Sequence, residues 1–138
     1  GAVISAVSIA NKKDLGRYGI AKVKNVEKNI YRIEKIVEKP KPDEAPSDLA
    51  THGAYILPPD IFDLLRKQEV ARDGEIYLSK AIDDLIKQGY PVYACEIENG
   101  KYYDTGNKLE YMKTVVQMGL QHPDINGDFR KFLKELDL

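Results

Sequence analysis

The sequence predicts an α/β fold with a mixed sheet, and three observations carry that prediction. Alternating apolar runs crowd the stretch before Leu57, apolar side chains at helical spacing begin only at Ile61, and one more alternating run, Pro91 to Ile97, falls between helical stretches. Strands gathered first, with helices interleaved later, describe a sheet whose faces helices cover. At 138 residues the chain has the size of one domain and can bury roughly two thirds of its unfolded surface. A single domain over residues 1–138 is therefore expected, with no internal repeat.

Gly1 to Val7 opens directly as a strand. Native N-termini usually carry loose residues ahead of their first element, so this start reads as a cut within a longer protein. Gly16 to Gly19 is a turn signal, followed by a strand from Ile20 to Val23. The polar stretch Lys24 to Asn29 then separates it from a second strand, Tyr31 to Val37, as in a hairpin. Pro40, Pro42 and Pro46 stop regular structure, which makes Glu38 to Asp48 a loop. Thr51 to Leu57 is again strand-like, and Pro58-Pro59-Asp60 suits the start of a short helix with Ile61, Phe62, Leu64 and Leu65 on its apolar face. The next helix is expected to begin near Glu75, where Leu78, Ala81, Ile82, Leu85 and Ile86 repeat at helical spacing, and to end at Gly89. After the strand Pro91 to Ile97 comes a short one, Lys101 to Tyr103, leading into Asp104-Thr105-Gly106. Asn107 can cap a helix lined by Leu109, Met112, Val116 and Leu120, and a last amphipathic helix after His122-Pro123 carries Phe129, Phe132, Leu133 and Leu136.

Lys and Arg total 21 against 22 Asp and Glu, a net charge of −1. No global field would draw such a chain to nucleic acid or an anionic membrane. The local pairs Lys12-Lys13 and Lys39-Pro40-Lys41 read as solvated surface. Cys95 is the only cysteine, which excludes an internal disulfide; within an alternating strand it is expected to be a small core residue in a reducing compartment. No apolar run reaches membrane-span length and no signal-peptide pattern opens the chain. The expectation is a cytoplasmic protein without nucleic-acid or membrane partners.

Three stretches offer chemistry beyond scaffolding. In Arg17-Tyr18-Gly19, glycine admits close backbone approach and tyrosine offers a flat wall, although the same residues make an ordinary turn. In Val37-Glu38-Lys39-Pro40, the carboxylate can accept hydrogen bonds from sugar hydroxyls while the ammonium meets a phosphate. Adjacent strand residues point to opposite faces, so both reach one ligand only if the strand ends there, with Pro40 holding Lys39 extended. In Tyr102-Tyr103-Asp104-Thr105-Gly106, the aspartate at a strand end can be a helix cap or a magnesium ligand, since magnesium commonly takes one or two carboxylates plus substrate phosphates. His52 and His122 have no zinc-like company, Ser5, Ser47 and Ser79 lack a nucleophile elbow, and no glycine-rich phosphate loop occurs.

The order of these stretches adds more than their chemistry. Gly16 to Ile20, Val37 to Ser47, Gly53-Ala54-Tyr55-Ile56-Leu57, Gly74-Glu75-Ile76-Tyr77-Leu78 and Tyr103 to Leu109 together resemble the bacterial UTP–glucose-1-phosphate uridylyltransferases (UDP-glucose pyrophosphorylases), essentially over the whole chain. The resemblance implies a Rossmann-like nucleotide-diphospho-sugar transferase fold, of which this would be the C-terminal portion with its mixed sheet and C-terminal helices. It implies transfer of a uridylyl group from UTP to glucose 1-phosphate, giving UDP-glucose and pyrophosphate with Mg²⁺. Glu38 would bind glucose hydroxyls, Lys39 the sugar phosphate, and Asp104 a magnesium ion. Tyr18 and Gly19 would shape the sugar pocket, which Gly53 and Glu75 would border.

Two departures accompany the resemblance. The family's N-terminal nucleotide-binding part, with its glycine-rich loop and second metal-binding aspartate, has no counterpart here, so the isolated chain is expected to be inactive. Ser79-Lys80 stands where the family usually has Thr-Asp, and a change in local packing is expected from it. Two alternatives stay open: thymidylyl transfer to the same sugar phosphate, or a non-catalytic sugar-phosphate-binding or assembly module. A homo-oligomer is expected, because a cut sheet would expose a strand edge or apolar surface.

Overall fold

The computed structural model describes residues 1–71, 73–99 and 103–136. They divide into two compact units, residues 1–100 and residues 101–138.

In the first unit, alternation does what it predicts. Ala2, Ile4 and Ala6 of β1 (Ala2–Ser8) turn inward and are buried, whereas Val3 between them is exposed. Four more strands, β2 (Gly19–Glu27), β3 (Ile30–Glu38), β4 (Leu49–Ile56) and β5 (Val92–Glu96), join β1 in the order β1-β4-β2-β3-β5, and the sheet closes on itself. β1 is parallel to β5 and antiparallel to β4, and the remaining pairs are antiparallel. The sheet is mixed, as the sequence predicts. Each strand has a hydrogen-bonded neighbour on both sides, so the free edge expected of a cut sheet is not found among the described residues.

Helices α1 (Ile61–Lys67) and α2 (Leu78–Lys87) supply the other half of the core. Ala81, Ile82 and Leu85 of α2 are buried with Ile4, Ile33 and Val92 in one cluster. Asp83 points the same way. Its Oδ1 accepts a hydrogen bond from the Ile36 backbone N–H at 3.2 Å and its Oδ2 pairs with Lys87 at 2.9 Å, which compensates a carboxylate that would be costly to bury alone. The helix ends with Tyr90 N–H donating to Leu85 O at 3.1 Å and Gly89 N–H to Ile86 O at 2.9 Å, the Schellman pattern expected of a terminal glycine. Ile82 is 1% exposed, so Ile82→Ala is expected to cost about 2–5 kcal/mol in a urea titration.

Several expectations are corrected. β2 and β3 run on through the polar stretch to a tight turn at Lys28-Asn29, with Glu27 paired to Ile30 and Asn29 at φ 61°. Lys24 to Glu27, which extend β2, are all exposed, so no apolar alternation marks the extension. α2 begins at Leu78 rather than near Glu75, because residues 73–77 form a loop. A 3₁₀ helix, Lys12–Arg17, occupies a stretch read as surface lysines and a turn, capped by the Asn11 side chain and anchored by buried Leu15. Cys95 is exposed, not a core residue; Val92 and Ala94 take the inward positions and leave Cys95 on the other face. Of the expected short strand at 101–103, residues 101 and 102 lie outside the described residues.

His52 on β4 is half-buried, and burial lowers its imidazole pKa below the ordinary value. The unfolded chain takes up this proton below about pH 6.5 while the folded chain resists it. Stability is therefore full above that pH and falls on acidification. The drop in melting temperature between about pH 7.5 and about pH 5.5 should be smaller in His52→Asn than in the parent chain.

The second unit is a helical hairpin of α3 (Lys108–Gln121) and α4 (Asn126–Glu135). Asn107 Oδ1 accepts from the backbone N–H groups of Leu109 and Glu110 at 3.0 and 3.1 Å, the expected N-cap. The helices approach closely at Gly119, where an added Cβ would lie 2.7 Å from the Phe129 ring. Among the described residues, no helix is long and apolar enough to cross a membrane.

Candidate functional site

Register brings the first cluster together. Gly19, first residue of β2, pairs with Glu38, last of β3, and with Thr51 on β4. Three strands thus deliver Gly19, Glu38 and Thr51 to one place although 32 residues separate Gly19 from Thr51. Gly19 is there for space. A Cβ would sit 3.0 Å from Glu38 Oε2, 3.2 Å from Thr51 Oγ1 and 3.4 Å from the Ile36 side chain. The Thr51 hydroxyl donates to Gly19 O at 3.2 Å. These three residues, with Arg17, Tyr18 and Tyr55 and with the segment Ile76 to Ser79, line a cavity of about 280 Å³. A site with a carboxylate, hydroxyls and flat aromatic walls is suited to a small polyol.

Lys39 departs from its expected conformation. It is not held extended by Pro40; its φ is 44°, in the left-handed region, and its N–H donates to Tyr18 O at 3.0 Å. The steric rule before proline favours extended backbone; Lys39 departs from it, and its N–H bond to Tyr18 O ties the turn down. The turn ends the alternation of β3, so Lys39 need not point opposite to Glu38. Its Nζ lies 5.2 Å from the centre of the Tyr77 ring, and Tyr77 lines the cavity. Tyr77 itself, then the carboxylates of Glu75 and Glu38, hold the Lys39 ammonium above the ordinary lysine pKa. Tyr77 donates its hydroxyl to Asp73; that bond raises the Tyr77 pKa and lowers that of Asp73.

The other predicted residues are placed as follows. Gly53 has φ +86°, which a residue with a side chain rarely adopts, and it adjoins the Ser5 hydroxyl that accepts from Ala54 N–H at 2.9 Å. It does not line the cavity. Glu75 is exposed in the loop just before Ile76, and its electrostatic neighbour is Lys39. Asp104 belongs to the second unit, where Oδ1 accepts from Gly106 N–H at 3.0 Å. Among the described residues no cluster of three His, Cys, Asp or Glu could hold a metal, so an ion at Asp104 would take its other ligands from outside these residues; magnesium accepts one or two carboxylates with phosphate and water.

Sequence reasoning missed Thr51, Asp73 and Tyr77, and gave Ser79 only a packing role. Ser79 Oγ is buried, without a hydrogen-bond partner among the described residues, in a residue that lines the cavity. The signal for Tyr77 and Ser79 lay in the motif Gly74 to Leu78 and the position after it; Thr51 had none, because its partner is across the sheet.

Known proteins share this fold and sequence. A UTP–glucose-1-phosphate uridylyltransferase 2 from Streptococcus pyogenes serotype M3 is 41% identical over 132 residues, covering 95% of this chain and 44% of its own. A UTP-bound UGPase structure from Acinetobacter baumannii superposes with a TM-score of 0.81 at 33% identity, over 99% of this chain and 46% of its own. A UDP-glucose pyrophosphorylase complexed with UDP-glucose gives a TM-score of 0.80 at 29% identity, over 88% and 45%. A putative glucose-1-phosphate thymidylyltransferase from Bacillus anthracis shares the fold, with a TM-score of 0.60 at 20% identity over 100% of this chain and 45% of its own. The chain thus spans less than half the length of these relatives. The family model for nucleotidyl transferases matches residues 1–119, and the chain belongs to that family.

Proposed function

We propose that residues 1–138 form the C-terminal, sugar-phosphate-binding part of a bacterial UTP–glucose-1-phosphate uridylyltransferase that acts in the cytoplasm with Mg²⁺ and whose N-terminal part binds the nucleotide. The observation that carries this reading is the cavity of about 280 Å³ with Glu38 in its wall and Lys39 turned beside it at the end of the same strand. Relatives named for this activity, at 41% identity, support the choice of substrates.

The reaction needs little from protein side chains beyond placement and charge. A phosphate oxygen of glucose 1-phosphate attacks the α-phosphorus of UTP in line. One P–O bond forms, the bond to the β-phosphate breaks, and pyrophosphate leaves with its electron pair. Glu38 accepts hydrogen bonds from glucose hydroxyls, and the Thr51 and Ser79 hydroxyls lie in the same wall. Tyr18 and Gly19 shape the pocket, Gly53 and Glu75 flank it, and Lys39 neutralises the sugar phosphate. Asp104 serves as one magnesium ligand; the bound ion would supply charge neutralisation on the phosphates.

Exposed Leu109, Met112, Val115 and Met118 recur along α3 and favour self-association of this chain as a homo-oligomer. The 138-residue chain alone is expected to bind glucose 1-phosphate but to form no UDP-glucose from it and UTP. A coupled pyrophosphate-release assay checks this, and robust turnover by the isolated chain would contradict the division of labour.

A further inference from the structure

Ordering a long lysine side chain against a phosphate costs conformational freedom, and here that side chain is already placed. Lys39 Nζ lies 5.2 Å from the centre of the Tyr77 ring, the geometry of a cation over an aromatic face. Tyr77 is itself held at its hydroxyl and at its backbone. Its hydroxyl donates to the Asp73 carboxylate, and the Tyr77 carbonyl accepts from Gln68 Nε2 at 3.1 Å. Asp73 is held in turn, because its Oδ1 accepts from the Glu75 backbone N–H at 3.2 Å. Tyr77 immediately precedes α2, and its carbonyl also accepts from the Ala81 N–H of that helix at 3.3 Å.

We propose that Asp73 and Tyr77 are a positioning pair that presets the Lys39 ammonium beside the cavity for the phosphate of an incoming sugar phosphate, an inference that rests on the phosphate-binding role proposed for Lys39. Tyr77 attracts the cation through its ring face and through its hydroxyl, and because an ammonium has three N–H donors, donors remain for phosphate oxygens. Asp73 fixes the ring by accepting a hydrogen bond from its hydroxyl, which raises the Tyr77 pKa and keeps the ring neutral beside the ammonium. The left-handed backbone at Lys39 starts the side chain toward this face. Neither Asp73 nor Tyr77 is required to touch the phosphate. The effect belongs to phosphorylated ligands alone, because the sugar hydroxyls are met by other groups.

The test uses the 138-residue chain, glucose 1-phosphate and glucose as probes, and NMR titration. In the ligand-free chain, the Lys39 ε-methylene protons should carry an upfield ring-current shift. Tyr77→Leu should abolish that shift, Asp73→Asn should diminish it, and Tyr77→Phe should keep much of it because the ring remains. Tyr77→Leu should weaken glucose 1-phosphate by about two- to fivefold more than it weakens glucose, the scale of an exposed cation–π contact. If the parent chain binds glucose 1-phosphate no better than glucose, the phosphate role of Lys39 fails and the positioning role with it. If Lys39→Met removes that preference while Tyr77→Leu and Asp73→Asn preserve both the preference and the ring-current shift, the positioning role alone is overturned. An equal loss for both probes in Tyr77→Leu also overturns it, since the ring would then act on the sugar directly.

Discussion

Lys39→Met is expected to weaken binding of glucose 1-phosphate to the chain by about ten- to hundredfold, the range for a hydrogen bond to a charged group, while changing binding of glucose within about twofold. Methionine keeps most of the apolar stem of the side chain and removes the charge, so the two ligands separate electrostatics from packing. The large effect follows from chemistry. A phosphate approaching Glu38, whose carboxylate lines the cavity, meets repulsion unless a cation stands beside it, and Lys39 is the next residue in the chain, turned by its left-handed backbone. Titration calorimetry for the phosphate and NMR for the weaker glucose measure the two losses. A matching loss for both would assign Lys39 a structural role.

The second large effect concerns turnover. In a chimera where this chain replaces the 132 matched residues of the Streptococcus pyogenes relative, Asp104→Asn is expected to lower kcat by about a hundredfold or more, with a smaller change in the KM for glucose 1-phosphate. Asparagine preserves a side-chain oxygen for the Gly106 N–H that Asp104 accepts at 3.0 Å, so the turn can persist while the charge is lost. A charge needed only where phosphates react shows in kcat more than in KM. Rate saturation at raised Mg²⁺ would place the loss in metal affinity; unchanged kinetics would remove Asp104 from the site.

What the sequence revealed followed the reach of local rules. The alternation in Ala2 to Ala6, the glycine end of α2 and the Asn107 cap each depend on residues a few positions apart, and each was legible. The extension of β2 to Lys28-Asn29 was not, because Lys24 to Glu27 are all exposed and need no apolar pattern. Cys95 was misplaced inward because alternation alone does not say which set faces in; burial of Val92 and Ala94 decides it. In the candidate site, Tyr18, Gly19 and Glu38 were found by motif and do meet around one cavity. Thr51 joins them through strand register, and Tyr77 through a loop that returns to the end of β3; neither relation is written in neighbouring residues. For Lys39, the local preference for extended backbone before proline gives way to a left-handed turn whose N–H bonds to Tyr18 O, a partner across the sheet.

A crystal structure of this chain with glucose 1-phosphate tests the sugar-phosphate assignment most directly. The account predicts hexose hydroxyls within hydrogen-bond distance of the Glu38 carboxylate and phosphate oxygens on Lys39 Nζ. Glucose 1-phosphate bound instead in the second groove, between Lys12, Leu15 and Asp48, with the wall of Gly19, Glu38 and Thr51 bare, would contradict it.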